Sequence, residues 1–376
     1  MGAAFARGRI LDEMQSLKST LPVVETGAWP HTLCLSDGIS LNSLQTGSKL
    51  SPPSFTTPTT GIVRLQAVDS VDATIVVDNT IDILLASTSN VIRAPLTWDW
   101  SRRPQLVAEH GYSLLLRVHK KGSVKTILYD AGLSPDAVTH NLAVLGVQLT
   151  DLDAIVLSHG HADHHGGLFG VVHSLGKKNL PLVLHPDAWK NRKIRFPAGQ
   201  EMHMPPPDRR ALEKNDVQII DSRAPSLLLS DHALVTGQVE RVTDYEKGFP
   251  YQYEEMDNEQ WEPDPWVWDD QGIVFNVNGK GLVVVSSCSH SGVVNVLRNA
   301  QRVTGVNKVH AFMGGMHLTG GIFEKIISQT IQDVAKVHPD IIIPGHCTGW
   351  KAMHLISREM PEAYVQGSAG TRIHFG

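Results

Sequence analysis

From Ile62 onward, short runs of Val, Ile and Leu alternate with segments whose apolar residues recur every three or four positions. The short runs predict strands over Ala73–Val77, Ile81–Ala86, Tyr112–Val118 and Val124–Tyr129. SPDAVTHNLAVLG, residues 134–146, predicts a helix with Ser134 as N-cap and Pro135 at the first helical position. A buried strand over Ala154–Ser158, a helix over Gly166–Gly176 and a strand over Leu182–Leu184 follow. A second round predicts strands at Val217–Asp221, Gly272–Val277 and Leu282–Ser286, then a helix over Val293–Val303. Ile322, Ile326, Ile327, Ile331 and Val334 form the stripe of an amphipathic helix over Ile322–Val337, and the apolar run Ile341–Ile343 closes the series.

Strands followed by alternating strand and helix, twice over, imply an α/β domain over 62–376, with two sheets packed face to face and helices outside. Residues 1–61 read differently. The stretch from Thr26 to Gly61 is rich in Ser, Thr, Pro and Gly without a sustained period, which predicts a mobile extension, with a short helix over Arg9–Leu21. The segment 249–270, acidic and then Trp-rich, interrupts the pattern as an insertion or lid over a site, or as an ordinary exposed loop.

Charge narrows the function classes. A formal net charge of −5 gives no electrostatic grip on nucleic acid or an anionic membrane surface. Three cysteines (Cys34, Cys288, Cys347) make no disulfide framework, which points to a reducing compartment. No apolar run approaches the ~20 residues of a membrane span, and the N-terminus lacks the apolar core of a secretory signal. A cytoplasmic enzyme acting on a small molecule is the simplest expectation. Histidine is the outlier, with 19 residues, most of them after residue 109.

The densest cluster is SHGHADHHGG, residues 158–167, directly after a buried strand. Imidazole and carboxylate are common metal donors, and a strand end places them reproducibly. Gly160 and Ala162 keep the intervening positions small, so the backbone can fold back tightly. His159 and His161 can share one ion while Asp163 and His164 turn toward a second. Two ions ~3.5–4 Å apart would clamp a bridging hydroxide. His165 points elsewhere, behind the ligands or into solvent.

Two coordination spheres need donors from later strand ends. SSCSHSG offers Cys288 and His290, PGHCTGW offers His346 and Cys347, and GGMHL offers His317, each after an apolar run. His346 and His290 rank first as ligands and His317 third, with a substrate contact as its other role. Cys288 and Cys347 are expected to pack or to stand behind the ligands, because thiolates favour closed structural sites. Asp130, ending LYDAG, is a candidate to orient a ligating imidazole, or else a turn residue. His185, Lys190 and Arg192 lie together and could meet an anionic substrate group, or form a solvated helix start.

These residues resemble the H-x-H-x-D-H signature of the metallo-β-lactamase superfamily. The wider pattern is similar to the subgroup that includes the dihydropterin-ribofuranosylaminobenzene-phosphate synthases. The matching pieces are VVDNTIDILL (76–85), AEHGYSLLL (108–116), LYDAGL (128–133), LSHGHADHHGGL (157–168), LHPDAW (184–189), CSHSGVVNVL (288–297), GGMHL (314–318), PGHCTG (344–349) and GSAG (367–370). The resemblance implies a four-layer αββα sandwich of two mixed sheets. It implies two divalent transition-metal ions, zinc first, with manganese, iron or nickel as alternatives. By position, His159 and His161 would hold one ion, Asp163, His164 and His346 the second, and His290 would complete the site. SSCSHSG stands where the superfamily's bridging carboxylate would be. Asp163 would also orient the metal-bound hydroxide as the catalytic carboxylate. Glu109, His110 and Ser368 would contact substrate.

Three functions follow. The first is a dinuclear hydrolase using a metal-bound hydroxide on an ester, lactone or phosphoester. The second is a synthase-type transferase that displaces pyrophosphate from a phosphorylated small molecule. The third is a non-catalytic metal-binding protein, which the intact donor set argues against.

Overall fold

In the computed structural model, residues 61–94, 101–176 and 179–376 are described. The expected Arg9–Leu21 helix and the Ser/Thr/Pro-rich extension to residue 60 lie outside them.

Eight strands form the first sheet. Their order from one edge is Val217–Asp221, Leu180–Leu184, Ala154–Val156, Ser123–Tyr129, Ser113–Lys120, Ser70–Val77, Arg372–Phe375 and Val91–Ile92. The first four run parallel, and the pairings from Ser123–Tyr129 to the far edge are antiparallel. The second sheet runs Ser226–Leu228, Ala233–Val235, Ile273–Val277, Gly281–Ser286, Val309–Gly314 and Ile341–Pro344, with Ala67–Val68 joined to Ile273–Val277. Its last three strands are parallel, so their C-terminal ends share one edge. Both sheets are therefore mixed.

Strand periodicity explains the layering. Leu114 and Leu116 point inward to a core shared with Phe275, Val283, Val285 and Met313 of the other sheet. Leu115, between them, points outward to a second cluster with Val138, Leu142, Leu168 and Val171 from the helices Ala137–Val144 and Leu168–Leu175. On the far side, Val284 and Phe312 meet Leu297, Ala300, Ile331, Val334 and Ile356 from three further helices, Val293–Thr304, Ile327–Val337 and Trp350–Glu359. Helix, sheet, sheet, helix is the order the sequence implies. Each fully buried aliphatic side chain contributes about 1.5–3 kcal/mol.

Two local expectations are corrected. Ile81–Ala86 is not a strand but an irregular turn. Ser368 Oγ accepts the Asp82 N–H at 2.7 Å, the Asp82 carboxylate accepts the Leu84 N–H at 3.1 Å, and Leu84 is exposed. The next helix begins at Ala137 with Asp136, not Ser134, at its N-cap. Glu109 accepts the backbone N–H groups of Leu133 and Ser134, which holds that stretch out of the helix.

Segment 249–270 contains a hairpin, Gln252–Glu255 with Trp261–Pro263. Its first strand pairs with Arg192–Arg195, which pairs in turn with Glu201–Met204, giving a third, four-stranded sheet. No helix among the described residues is long and apolar enough to cross a membrane.

Candidate metal centre

The donors gather at the C-terminal ends of strands. Ala154–Val156 leads into His159 and His161 and then into a single helical turn, Ala162–His165, carrying Asp163 and His164. Gly160 is required there, because a Cβ would lie 2.5 Å from the Ala188 carbonyl oxygen. From the second sheet, Gly281–Ser286 leads to Cys288 and His290, Val309–Gly314 to His317, and Ile341–Pro344 to His346. Asp130, Ser289, His317 and His346 all sit at positive φ, between 44° and 61°. Such strain in non-glycine residues persists where the surroundings over-determine it, often at functional sites.

Hydrogen bonds fix how the imidazoles are turned. Asp130 accepts the Ser158 N–H at 2.7 Å, the Ser158 hydroxyl at 2.7 Å and His164 Nδ1–H at 2.7 Å. The single Ser158 hydroxyl proton is thus spent, and its oxygen accepts from His159 Nδ1 at 2.8 Å. His346 Nδ1 meets Asn79 Oδ1 at 3.1 Å. His159, His164 and His346 therefore all present Nε2 to the interior. This is the outer support that metal-binding histidines use.

Two groups of donors result. Ligand atoms of His159, His161 and His290 lie within 4.8 Å of one another. Asp163 Oδ2 stands 3.3 Å from His346 Nε2, 3.5 Å from His164 Nε2 and 3.5 Å from His110 Nε2. Cys288 Sγ is 3.2 Å from His164 Nε2 and lies within ligand range of His159, His290, His317 and His346. It occupies the space between the groups, a more central place than the sequence suggested.

Electrostatics fits a cation. His159 Nε2, both ring nitrogens of His290, His317 Nδ1 and His346 Nε2 are buried without a hydrogen-bond partner. Each unsatisfied buried group costs about 1–3 kcal/mol, and bound cations would satisfy one nitrogen of each ring. Burial first, then the neighbouring imidazoles, push the pKa values of His159 and His290 well below the usual histidine range. Burial pushes His161 down to about 4. Neutral imidazole is the form that ligates. Against the same burial, His164 is pushed up to about 10 by Asp163 and Asp130. Also against burial, His164 and His346 hold Asp163 well below the carboxylate range. A metal at that place would replace the His164 Nε2 proton in pairing with Asp163.

All six first-ranked donors are brought together. His317 borders them, its ring centroid 4.2 Å from that of His290. His110 stands at the mouth, largely exposed. Glu109 is engaged with backbone N–H groups, and Ser368 with that of Asp82. His185 is fully buried, its Nδ1 accepting the Asp187 N–H, and belongs to none of the donor groups. His165 is buried rather than exposed. Lys190 pairs with Asp187 and Glu254, and Arg192, fully buried, with Asp264 and Asp269. Their charges are thus spent internally, and neither forms a solvated helix start.

Sequence reasoning missed Ser158, Asn79, Asp78 and Gln252. Asp78 accepts the His346 N–H at 2.9 Å, and Gln252 Oε1 lies 2.5 Å from His161 Nε2. Only Asp78 carried a signal, as a carboxylate ending an apolar strand.

Residues 108–303 match the family described as the Metallo-beta-lactamase superfamily. The chain is 31% identical over 274 residues to the 7,8-dihydropterin-6-methyl-4-(beta-D-ribofuranosyl)-aminobenzene-5'-phosphate synthase of Methanocaldococcus jannaschii, covering 71% of this chain and 90% of that protein. A second, uncharacterized protein of the same organism is 29% identical over 256 residues, covering 67% of this chain and 88% of the relative. A crystal structure described as a metal-dependent hydrolase of the beta-lactamase superfamily superposes with a TM-score of 0.61 at 20% identity, over 81% of this chain and 98% of that one.

Proposed function

The chain belongs to the metallo-β-lactamase superfamily, and on that premise we propose that it is a metal-dependent hydrolase holding two divalent transition-metal ions and acting on an ester, lactone or phosphoester of a small molecule. The observation that carries this reading is the convergence of the six donors around buried, unpartnered imidazole nitrogens. In this assignment His159, His161 and His290 hold one ion, and Asp163, His164 and His346 the other, with Cys288 between them. The mixed nitrogen, oxygen and sulfur set suits zinc first, and manganese, iron or nickel after it. Bound ions of this kind polarise the scissile group and lower the pKa of water toward ~7.

The protein's own residues supply the rest. Asp163, facing three imidazoles, holds their relative positions and is the carboxylate that would orient a nucleophile held at the centre. Asp130 and Ser158 keep His159 and His164 turned toward the centre, and Asn79 does so for His346. His110, exposed beside Asp163, is placed to meet the leaving group or an anionic part of the substrate. His317 and Phe249, beside His290, border the site on the opposite side.

The 31% identity to a synthase over 90% of its length favours a second reading. In it, the same centre stabilises departing pyrophosphate while an acceptor other than water attacks a phosphorylated small molecule. Turnover in ¹⁸O-labelled water separates the two. A hydrolase incorporates the label into product from an ester, lactone or phosphoester panel. A transferase releases pyrophosphate from a pyrophosphate-bearing substrate and leaves the joined product unlabelled. Elemental analysis of wild type beside His161→Ala and His290→Ala tests the centre itself. Close to two metals per wild-type chain, with both variants depleted, is expected, and one or none unchanged by His290→Ala would overturn the ligand set.

A further inference from the structure

Arg192 is the largest fully buried side chain among the described residues, and it lies in the small third sheet rather than in either main sheet. A charge so placed is tolerated only when paired and hydrogen-bonded. Its guanidinium makes two bonds to Asp269, at 2.9 and 2.7 Å, and one to Asp264, at 3.1 Å. Asp269 in turn accepts the backbone N–H of Gly160 at 2.7 Å, inside the histidine motif. Asp264 accepts from Gln252 Nε2 at 3.1 Å, and the Asp264 carbonyl oxygen accepts from it at 3.2 Å. Gln252 is fully buried and lies on the hairpin of segment 249–270.

Polarity passes along this chain without ambiguity. Arginine only donates, so both carboxylates accept. The Gln252 amide nitrogen must then face Asp264, and its carbonyl oxygen must face His161. A carbonyl only accepts, so the His161 nitrogen beside it, Nε2, carries the proton. Nδ1 is left with the bare lone pair, whereas His159, His164 and His346 offer Nε2.

We infer that Gln252, its amide orientation set by Asp264 and Arg192, is a positioning residue that fixes His161 as the Nε2–H tautomer and so commits Nδ1 to the metal. The inference rests on the metal-centre reading only for its last step. It makes the hairpin of 249–270 part of the ligand scaffold. It also makes Arg192 the common anchor of the His161 ring and of the Gly160 backbone.

The test is long-range ¹H–¹⁵N NMR of the histidine rings in the metal-free chain at neutral pH, beside a chelator-competition titration of the metal-loaded chain. Wild type should show His161 as Nε2–H. Gln252→Leu, which removes the acceptor, should shift His161 to Nδ1–H or a mixture. It should weaken one of the two ions about 10–100-fold, the usual cost of losing an outer partner, and leave the other unchanged. Gln252→Glu, protonated on the oxygen that faces Asp264 and accepting from His161 with the other, should restore the tautomer. An unchanged His161 tautomer in Gln252→Leu would overturn the inference. So would equal loss of both ions tracking a fall in melting temperature, which is the signature of a merely structural residue. If wild type bound no ion, the metal-centre reading would fail, and the NMR comparison would still decide the role of Gln252.

Discussion

The Oδ2 atom of Asp130 stands 2.7 Å from Nδ1 of His164, and both side chains are fully buried. The same oxygen accepts the Ser158 hydroxyl, which accepts from His159 in turn. One carboxylate from the first sheet thus orients a histidine of each donor group. Asp130→Asn keeps the shape but turns one acceptor into a donor, so it cannot accept the Ser158 backbone N–H and also serve the Ser158 hydroxyl and His164. The expected outcome is weaker binding at the Asp163/His164/His346 ion by about 10–100-fold, measured by metal content after dialysis against a graded chelator. An unchanged titration would leave Asp130 as a turn residue only.

The contrast between Asp130 and Gln252 explains how much was legible beforehand. The histidine motif and the later strand-end histidines could be read because each follows an apolar run within a few residues. A strand end converts sequence position into spatial position. Layering was legible for the same reason, since Leu114, Leu115 and Leu116 alternate faces on a two-residue period. Gln252 meets His161 across 91 residues of sequence, and nothing local marks it. Ile81–Ala86 has the composition of a strand, yet Asp82 and Ser368, 286 residues apart, take its backbone into a turn. Glu109 likewise holds Ser134 out of the helix that the Ser134–Pro135 pair predicts.

Gly160→Ala should separate steric from electronic requirements in the motif. Alanine changes no donor, yet its Cβ would press on the Ala188 carbonyl. It would also displace the N–H that Asp269 accepts. Overpacking of this kind costs about 1–3 kcal/mol, read as a lower urea midpoint at unchanged slope. The His159/His161/His290 ion should be lost more readily than its neighbour. A variant with wild-type midpoint and metal content would show that the loop can yield there.

Glu246, which lines a pocket with His290 and His317, gives stability a pH dependence of its own. Burial pushes its carboxyl up from 4.5 to about 7, although the Val294 and Asn295 N–H groups and the Thr243 hydroxyl favour the charged form. A raised carboxyl pKa means that the folded chain binds a proton the unfolded chain has released. Its stabilising contribution is full below pH 4.5 and is lost as pH rises through about 7. The melting temperature of the chelator-treated wild type, measured relative to Glu246→Gln, should therefore fall between pH 5 and 8. A flat difference would mean that the backbone donors outweigh burial.

Cys288 carries the sharpest departure from the sequence expectation, which put it behind the ligands. Its Sγ lies 3.2 Å from His164 Nε2 and within ligand range of both donor groups, and it forms no disulfide. Burial pushes its thiol pKa upward in the ion-free chain, so metal binding must displace a proton, which ties affinity to pH. Cys347 is also buried nearby, its Sγ 3.6 Å from the Cys288 carbonyl oxygen, and it is the competing thiol. Cobalt substitution distinguishes them, because a thiolate ligand adds a charge-transfer band in the near ultraviolet that nitrogen and oxygen donors do not. Wild type and Cys347→Ser should show the band and Cys288→Ser should lose it, with weaker retention of both ions. The reverse pattern would make Cys347 the ligand and return Cys288 to the supporting place that its sequence context suggested.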